Sequence, residues 1–167
     1  MSDKTFYITT PLYYANDELH IGHAFSTLAA DIMSRFQRSM GRKVYFLTGS
    51  DEHGQKVEQA AKAKGLTPIE HTNKLVEKFK SLWTLLDITY DDFIRTTEER
   101  HEKVVTYVLN KLWEQGDIYA SEYSGWYCTP CERFWTEKEV PDKICPDCHR
   151  PVQEITEKNY FFKMSKY

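Results

Sequence analysis

The sequence predicts an α/β fold, in which a strand–loop–helix–strand unit opens a parallel sheet and a small cysteine-bearing subdomain follows. Three observations predict it. Runs rich in β-branched and aromatic residues, Thr5-Phe6-Tyr7-Ile8-Thr9 and Val44-Tyr45-Phe46-Leu47, flank a stretch from Ile21 to Met40 whose apolar residues recur at three and four positions. Capping signals and glycines mark further helices before Gly116, and all four cysteines fall between Cys128 and Cys148.

The elements follow in order. Thr5 to Thr9, ended by Pro11, reads as a buried first strand, and a loop through Tyr13, Asn16 and Asp17 leads to the first helix. Ile21, Ala24, Phe25, Leu28, Ile32, Phe36 and Met40 trace one apolar face that stops at Gly41. The strand Val44 to Leu47 then completes a βαβ unit, which implies a parallel sheet with ligands at the strand carboxyl ends. Two segments fall there: Pro11 to His23, and an acidic turn from Thr48 to Gly54. A helix over about Gln55–Lys64 ends at Gly65. The next opens on Thr67-Pro68-Ile69-Glu70, a capping box with proline at the first helical position, and should bury Leu75, Phe79, Leu82 and Leu86. A third opens on the capping box Thr96-Thr97-Glu98-Glu99, should bury Val104, Val108 and Leu112, and ends at Gly116. Beyond it the texture changes to short β-like runs, so residues 1–116 and 117–167 read as separate domains.

Composition limits the function classes. The chain has 167 residues, 41% of them hydrophobic, enough for one ordinary core with an appendage. No apolar run approaches the roughly 20 residues that span a bilayer, and Met1-Ser2-Asp3-Lys4-Thr5 lacks the apolar region of a secretory signal, so the expected place is the cytoplasm, with no membrane partner. A net charge of -3 argues against wrapping nucleic acid by bulk electrostatics.

His20-Ile21-Gly22-His23 lies where the first loop enters its helix. A helix start with unpaired N–H groups favours anions, Gly22 lets a ligand approach the backbone, and two histidines three apart face one side and can donate to phosphate oxygens. That suits a nucleotide triphosphate; the alternative is that His20 caps the helix and His23 packs on the sheet. In the acidic turn, the commonest role for an aspartate such as Asp51 is to cap the following helix. Cys128-Thr129-Pro130-Cys131 and Cys145-Pro146-Asp147-Cys148 are two Cys-x-x-Cys pairs thirteen residues apart. Four thiolates from two tight turns complete the closed tetrahedral shell of structural zinc, a redox pair being the alternative. His149 is left out of the ligand set.

The string Thr9 to His23 resembles the ATP-binding signature of class I aminoacyl-tRNA synthetases, and its Pro-x-Tyr-Tyr-x-Asn lead-in is similar to that of the methionyl enzymes. The segment Gly49-Ser50-Asp51-Glu52-His53-Gly54 resembles their Gly-x-Asp-x-His-Gly block. The resemblance implies the first half of a Rossmann-like parallel-sheet catalytic domain with a small zinc-knuckle insertion subdomain, the knuckle lying near the tRNA acceptor end. It implies His20 and His23 as catalytic residues that bind ATP phosphates, Asn16 holding the loop or the phosphates, and Gly22 admitting the adenine ring. Leu12 and Tyr14 would line the methionine side-chain pocket, and Asp51 would pair with the methionine ammonium group. The implied substrates are methionine, ATP with Mg²⁺ and the methionine tRNA. The chain then reads as an N-terminal part that is inactive alone. Two other readings are a class I synthetase for another apolar amino acid and a non-catalytic zinc-knuckle module that binds RNA or a partner protein.

Lys163-Met164-Ser165-Lys166-Tyr167 differs at one position from the second class I signature, Lys-Met-Ser-Lys-Ser. In the family that signature follows the second half of the nucleotide fold, whereas this segment follows the knuckle directly. Glu157 to Phe162 resembles the return strand out of the knuckle, so Lys163 and Lys166 are expected to be solvated lysines at a strand end.

Overall fold

The computed structural model describes residues 4–167. Residues 1–3, part of the stretch read above for a secretory signal, lie outside the described residues. No helix among the described residues is long and apolar enough to cross a membrane. The chain divides into two compact units, Met1–Val105 and Thr106–Tyr167.

The first unit is a parallel sheet centred on β3 (Lys43–Asp51). β1 (Thr5–Thr9) runs beside its first half, with Thr5 opposite Lys43 and Thr9 opposite Leu47. β2 (Tyr13–Tyr14) pairs with the end of β3, placing Tyr13 opposite Ser50 and Tyr14 opposite Asp51. β4 (Asp92–Arg95) pairs with residues 47–50. Two expectations change here. β3 runs on through Thr48, Gly49, Ser50 and Asp51, so the acidic segment begins as strand. β1 is an edge strand of alternating half-buried and exposed residues rather than a buried one, because among the described residues it pairs with β3 alone.

The crossover helix α1 (Ile21–Ser39) packs on β1 and β3. Gly41, at φ 75°, closes its end in the left-handed region that glycine tolerates. The buried face is Thr27, Ala30, Asp31 and Ser34, while Ile21, Phe25, Ile32 and Phe36 on the predicted apolar face stand 54–87% exposed. Small side chains let the helix backbone approach closely. Their polar atoms are engaged: the Thr27 and Tyr13 hydroxyls share a 2.9 Å hydrogen bond, and Asp31 accepts from the N–H and hydroxyl of Thr89 at 2.7 and 2.6 Å. Among the described residues nothing covers the bulky side.

α2 (Gln55–Ala63) and α3 (Pro68–Leu85) follow β3. The expected capping box forms, with the Thr67 hydroxyl accepting from the Glu70 N–H and Glu70 accepting from the Thr67 N–H. α3 contributes Leu75, Val76, Phe79 and Trp83 to a core completed by Tyr13, Ala15 and Phe93, with Leu82 and Leu86 at its margin. Burial of each large side chain contributes about 1.5–3 kcal/mol, so truncating Phe79 to alanine should cost about 3–5 kcal/mol.

α4 (Glu99–Glu114) buries none of its residues, and Val104 and Val108 are exposed, contrary to the expected stripe. Its expected capping hydroxyls are engaged elsewhere: Thr96 accepts from the Glu52 N–H and Thr97 donates to the Glu52 carboxylate. The division between the two compact units, after Val105, falls within the residues of this helix, and Gly116, where the sequence texture changes, turns the chain onward at φ 71°.

The second unit is an antiparallel sheet in the order β6 (Arg133–Trp135), β5 (Ile118–Cys128), β7 (Gln153–Phe162). Ile118 faces Phe162 and Tyr127 faces Gln153, so β7 is the return strand out of the cysteine-bearing segment. Trp113 packs edge-on against Tyr160, which ties the end of α4 to this sheet. Cys128, Trp135, Val140, Cys145 and Val152 form its core. The two C-terminal lysines are not simply solvated. Lys166 Nζ lies 2.7 Å from the buried Asp117 carboxylate, the Tyr167 hydroxyl donates to the same group at 2.6 Å, and Lys163 Nζ donates to the Gly116 carbonyl.

Candidate active site and metal centre

At the carboxyl ends of β1 and β2 lies a groove of about 400 Å³ whose walls include Leu12, Tyr14, Asn16, His20 and His23. Five of the site residues expected from sequence thus come together on one surface. Of the other two, Gly22 sits between the histidines and Asp51 pairs with Tyr14 across β2 and β3.

The histidines form a reciprocal cap on α1. His20 Nδ1 accepts the Gly22 N–H at 3.1 Å, and His23 Nδ1 accepts the His20 N–H at 3.0 Å. Each ring, accepting at Nδ1, carries its proton on Nε2 when neutral, which leaves one N–H donor per imidazole for a ligand. Burial first, and then the charge of His20, lowers the His23 pKa. The ring centroids lie 3.9 Å apart, with the planes tilted by 40°. The helix start therefore differs from the expectation of free backbone donors. The Gly22 N–H is taken by His20 and the His23 N–H by the His20 carbonyl, so the imidazoles replace them as donors. The capping and ligand-binding readings of His20 are compatible, because they use different ring nitrogens.

Gly22 has a steric reason. A Cβ there would lie 2.9 Å from His20 Cε1 and 3.0 Å from its Nδ1. The absence of a side chain is what lets the His20 ring fold back over the helix start.

Sequence reasoning missed three supporting residues, Tyr13, His71 and Lys78. Tyr13, buried between the site and the core, meets the His23 ring edge-on at 4.8 Å, and its hydroxyl pairs with Thr27. Alternation along the Leu12-Tyr13-Tyr14 run was the available signal: if Leu12 and Tyr14 face a ligand, Tyr13 faces the core. His71 on α3 is buried, with Nε2 3.3 Å from the Asn16 carbonyl, and Lys78 forms an ion pair with Glu18. Both ties hold the loop from outside, and no local pattern announces them.

Asp51 ends β3, partly buried, and its carbonyl accepts the Ala15 N–H at 2.9 Å. It does not cap α2, whose N-cap is Gly54 without a side-chain hydrogen bond. Glu52 is 3% exposed. Its Oε1 accepts from Ser50 Oγ at 2.5 Å and Arg95 Nε at 2.6 Å; its Oε2 accepts from Arg95 Nη2 at 2.8 Å and Thr97 Oγ1 at 2.6 Å. Burial alone would raise its pKa, but Arg95, Ser50 and Thr97 outweigh that and hold it below the ordinary value. Close strand packing explains Gly49: a Cβ there would stand 2.0 Å from the Ile94 carbonyl oxygen.

The four cysteine sulphurs lie within 4.8 Å of one another, with Cys128 and Cys148 at 3.4 Å and Cys131 and Cys145 at 3.8 Å. A tetrahedral zinc with Zn–S near 2.3 Å needs edges of about 3.8 Å, so the donor set fits. Each pair is followed by a residue in the left-handed region, Glu132 at φ 52° and His149 at φ 57°, so the two turns are alike. His149 continues the second turn, its N–H donating to the Cys145 carbonyl, and takes no part in the sulphur cluster. The thiols differ in acidity. Burial opposes ionisation of Cys145, but the N–H groups of Cys148 and Asp147 bring it to about 7, while hydrogen bonding to Cys148, then burial, pushes Cys131 up to about 12. Four such crowded thiols need a cation to ionise together.

The methionine–tRNA ligase of Caldanaerobacter subterraneus subsp. tengcongensis is 58% identical over 164 residues, 98% of this chain and 26% of the relative. The Thermotoga maritima methionine–tRNA ligase is 55% identical over 97% of this chain and 26% of its own length. The chain thus spans about a quarter of the length of these curated relatives. Mycobacterium tuberculosis methionyl-tRNA synthetase, solved in complex with methionyl-adenylate, superposes with a TM-score of 0.89 at 38% identity over 98% of this chain and 33% of that one. The family model of tRNA synthetases class I (M) matches residues 6–165, and the chain belongs to that family.

Proposed function

We propose that this segment supplies the first half of an active site that activates methionine with ATP and passes it to tRNA. The observation that carries the reading is the groove in which Leu12, Tyr14, Asn16, His20 and His23 meet, with both imidazoles held by Nδ1 and each left with an Nε2–H donor. Support also comes from the solved relative, which holds methionyl-adenylate.

In this reading ATP, carried with Mg²⁺, lays its phosphates against His20 and His23 while Asn16 holds the loop and Gly22 leaves room for the adenine. The methionine thioether contacts Leu12 and Tyr14, and Asp51 pairs with the ammonium group. The methionine carboxylate oxygen attacks the α-phosphorus, the bond to the bridging oxygen breaks, and pyrophosphate leaves. The two imidazole donors stabilise the negative charge that builds on the phosphates, and one such preorganised donor contributes about 3–4 kcal/mol to a comparable step. Fixing the ammonium orients the carboxylate for attack. The tRNA terminal hydroxyl then takes methionine from the adenylate and releases AMP. Zn²⁺ would be held by Cys128, Cys131, Cys145 and Cys148, where four thiolates leave no open position, so its contribution is to the fold of the second unit. The cytoplasm, which keeps thiols reduced, suits that site.

The test is methionine-dependent exchange of pyrophosphate into ATP by a chain of the relatives' length that carries this segment. Leucine, isoleucine or valine supporting exchange in place of methionine would refute the substrate assignment.

A further inference from the structure

We propose that Glu52 and Arg95 form a positioning pair that fixes the Asp51 carboxylate for the substrate ammonium group; this rests on the reading of Asp51 given above.

The backbone around Asp51 is fastened on both sides. Its own carbonyl accepts the Ala15 N–H at 2.9 Å, and the next N–H, that of Glu52, donates to Thr96 Oγ1 at 2.9 Å. The Glu52 carboxylate then takes four hydrogen bonds at 2.5–2.8 Å, two of them from one guanidinium in a fork geometry. Arg95 is itself held from α3, where Asn73 Oδ1 lies 2.7 Å from Nη2. One ion pair therefore locks the end of β3 to the end of β4 and to α3, directly beside Asp51.

A role in stability alone does not account for the arrangement. Replacing a buried ion pair with apolar side chains of similar volume is often neutral or stabilising, so charge at this place is best explained by the geometry it imposes. The fork and the two hydroxyls leave Glu52 a single conformation, and Asp51 shares its backbone. The carboxylate of Glu52 also has its acceptor sites filled by protein donors, so it does not compete with Asp51 for a substrate ammonium.

The experiment is Glu52→Gln in a chain of the relatives' length, read by methionine-dependent pyrophosphate exchange with both substrates titrated. The expected result is a rise of tenfold or more in KM for methionine, with KM for ATP within twofold and the thermal midpoint close to that of the unmodified protein. A general loss of folding would move both KM values or the active fraction. If Glu52→Gln does not fold, the paired variant Ser50→Ala with Thr97→Val removes two neutral donors and keeps the ion pair; a methionine-specific rise of at least threefold is then expected. An unchanged KM for methionine in whichever folded variant is measured overturns the proposal. Asp51→Asn in parallel separates the two readings. If it leaves KM for methionine unaltered, the assignment of Asp51 fails and the positioning role falls with it. If Asp51→Asn raises KM and Glu52→Gln does not, the positioning role alone is wrong.

Discussion

Gly22→Ala is expected to uncouple stability from catalysis. The added Cβ would meet His20 Cε1 at 2.9 Å and Nδ1 at 3.0 Å, contacts that a side chain, unlike a backbone, relieves by rotating away. Rotation breaks the 3.1 Å hydrogen bond from the Gly22 N–H to His20 Nδ1. Losing an N-cap acceptor costs about 0.5–2 kcal/mol. Replacing glycine by alanine in a helix returns about 0.8–1 kcal/mol, so the net change in stability should be within about 1 kcal/mol. The chemical consequence is larger, because the Nε2–H of His20 leaves its place, and loss of one preorganised donor lowers kcat about 100- to 1000-fold. Chemical denaturation would give the stability, and pyrophosphate exchange by a chain of the relatives' length would give kcat and KM for ATP. A kcat within threefold of the unmodified enzyme, with a rise confined to KM for ATP, would show that Gly22 serves the nucleotide alone and refute the argument from the His20 ring.

Three further outcomes are expected. Metal analysis should find about one zinc per chain, and Cys145→Ser should lose tight binding and loosen the segment after residue 116, seen as faster amide exchange; full zinc retention would count against the four-thiolate assignment. The lowered His23 pKa means that the unfolded chain binds the proton more readily. The stability it contributes is present above about 6.5 and is lost as pH falls through the depressed value, so melting temperatures measured from pH 7.5 to 5 should fall less in His23→Asn. Glu52, also lowered, adds a loss only below about 4.3, which separates the two windows. Alanine at Lys163 and Lys166 should leave pyrophosphate exchange within a few-fold while lowering the thermal midpoint, because Asp117 loses its cation; a hundredfold loss of exchange would show that these lysines act in catalysis.

Local patterns were legible in the sequence where the chain itself satisfies them. Thr67-Pro68-Ile69-Glu70 caps α3 as written, and the two Cys-x-x-Cys turns bring their sulphurs together. His20 and His23, three residues apart, meet ring to ring. Periodicity failed where burial depends on what lies opposite. The apolar residues of α1 and α4 have the right spacing, yet in this segment the small and polar face of α1 is buried and α4 buries none. A helical wheel reports which face is apolar, not whether a surface covers it. Glu52 was unreadable for another reason: its partner Arg95 lies 43 residues away at the end of β4, and no short-range rule pairs them. The hydroxyls of Thr96 and Thr97 looked like a capping box and are instead drawn to that carboxylate, a tertiary contact that outcompetes a local one.

The role proposed for the groove beside His20 and His23 is the activation of methionine. Its most direct test is methionine-dependent exchange of labelled pyrophosphate into ATP by a chain of the relatives' length, alongside His20→Ala and Asp51→Ala. Exchange with methionine is expected, with a fall of about 100-fold or more in kcat for His20→Ala by loss of one donor and a rise mainly in KM for methionine for Asp51→Ala. Exchange that persists unchanged in both variants would contradict it.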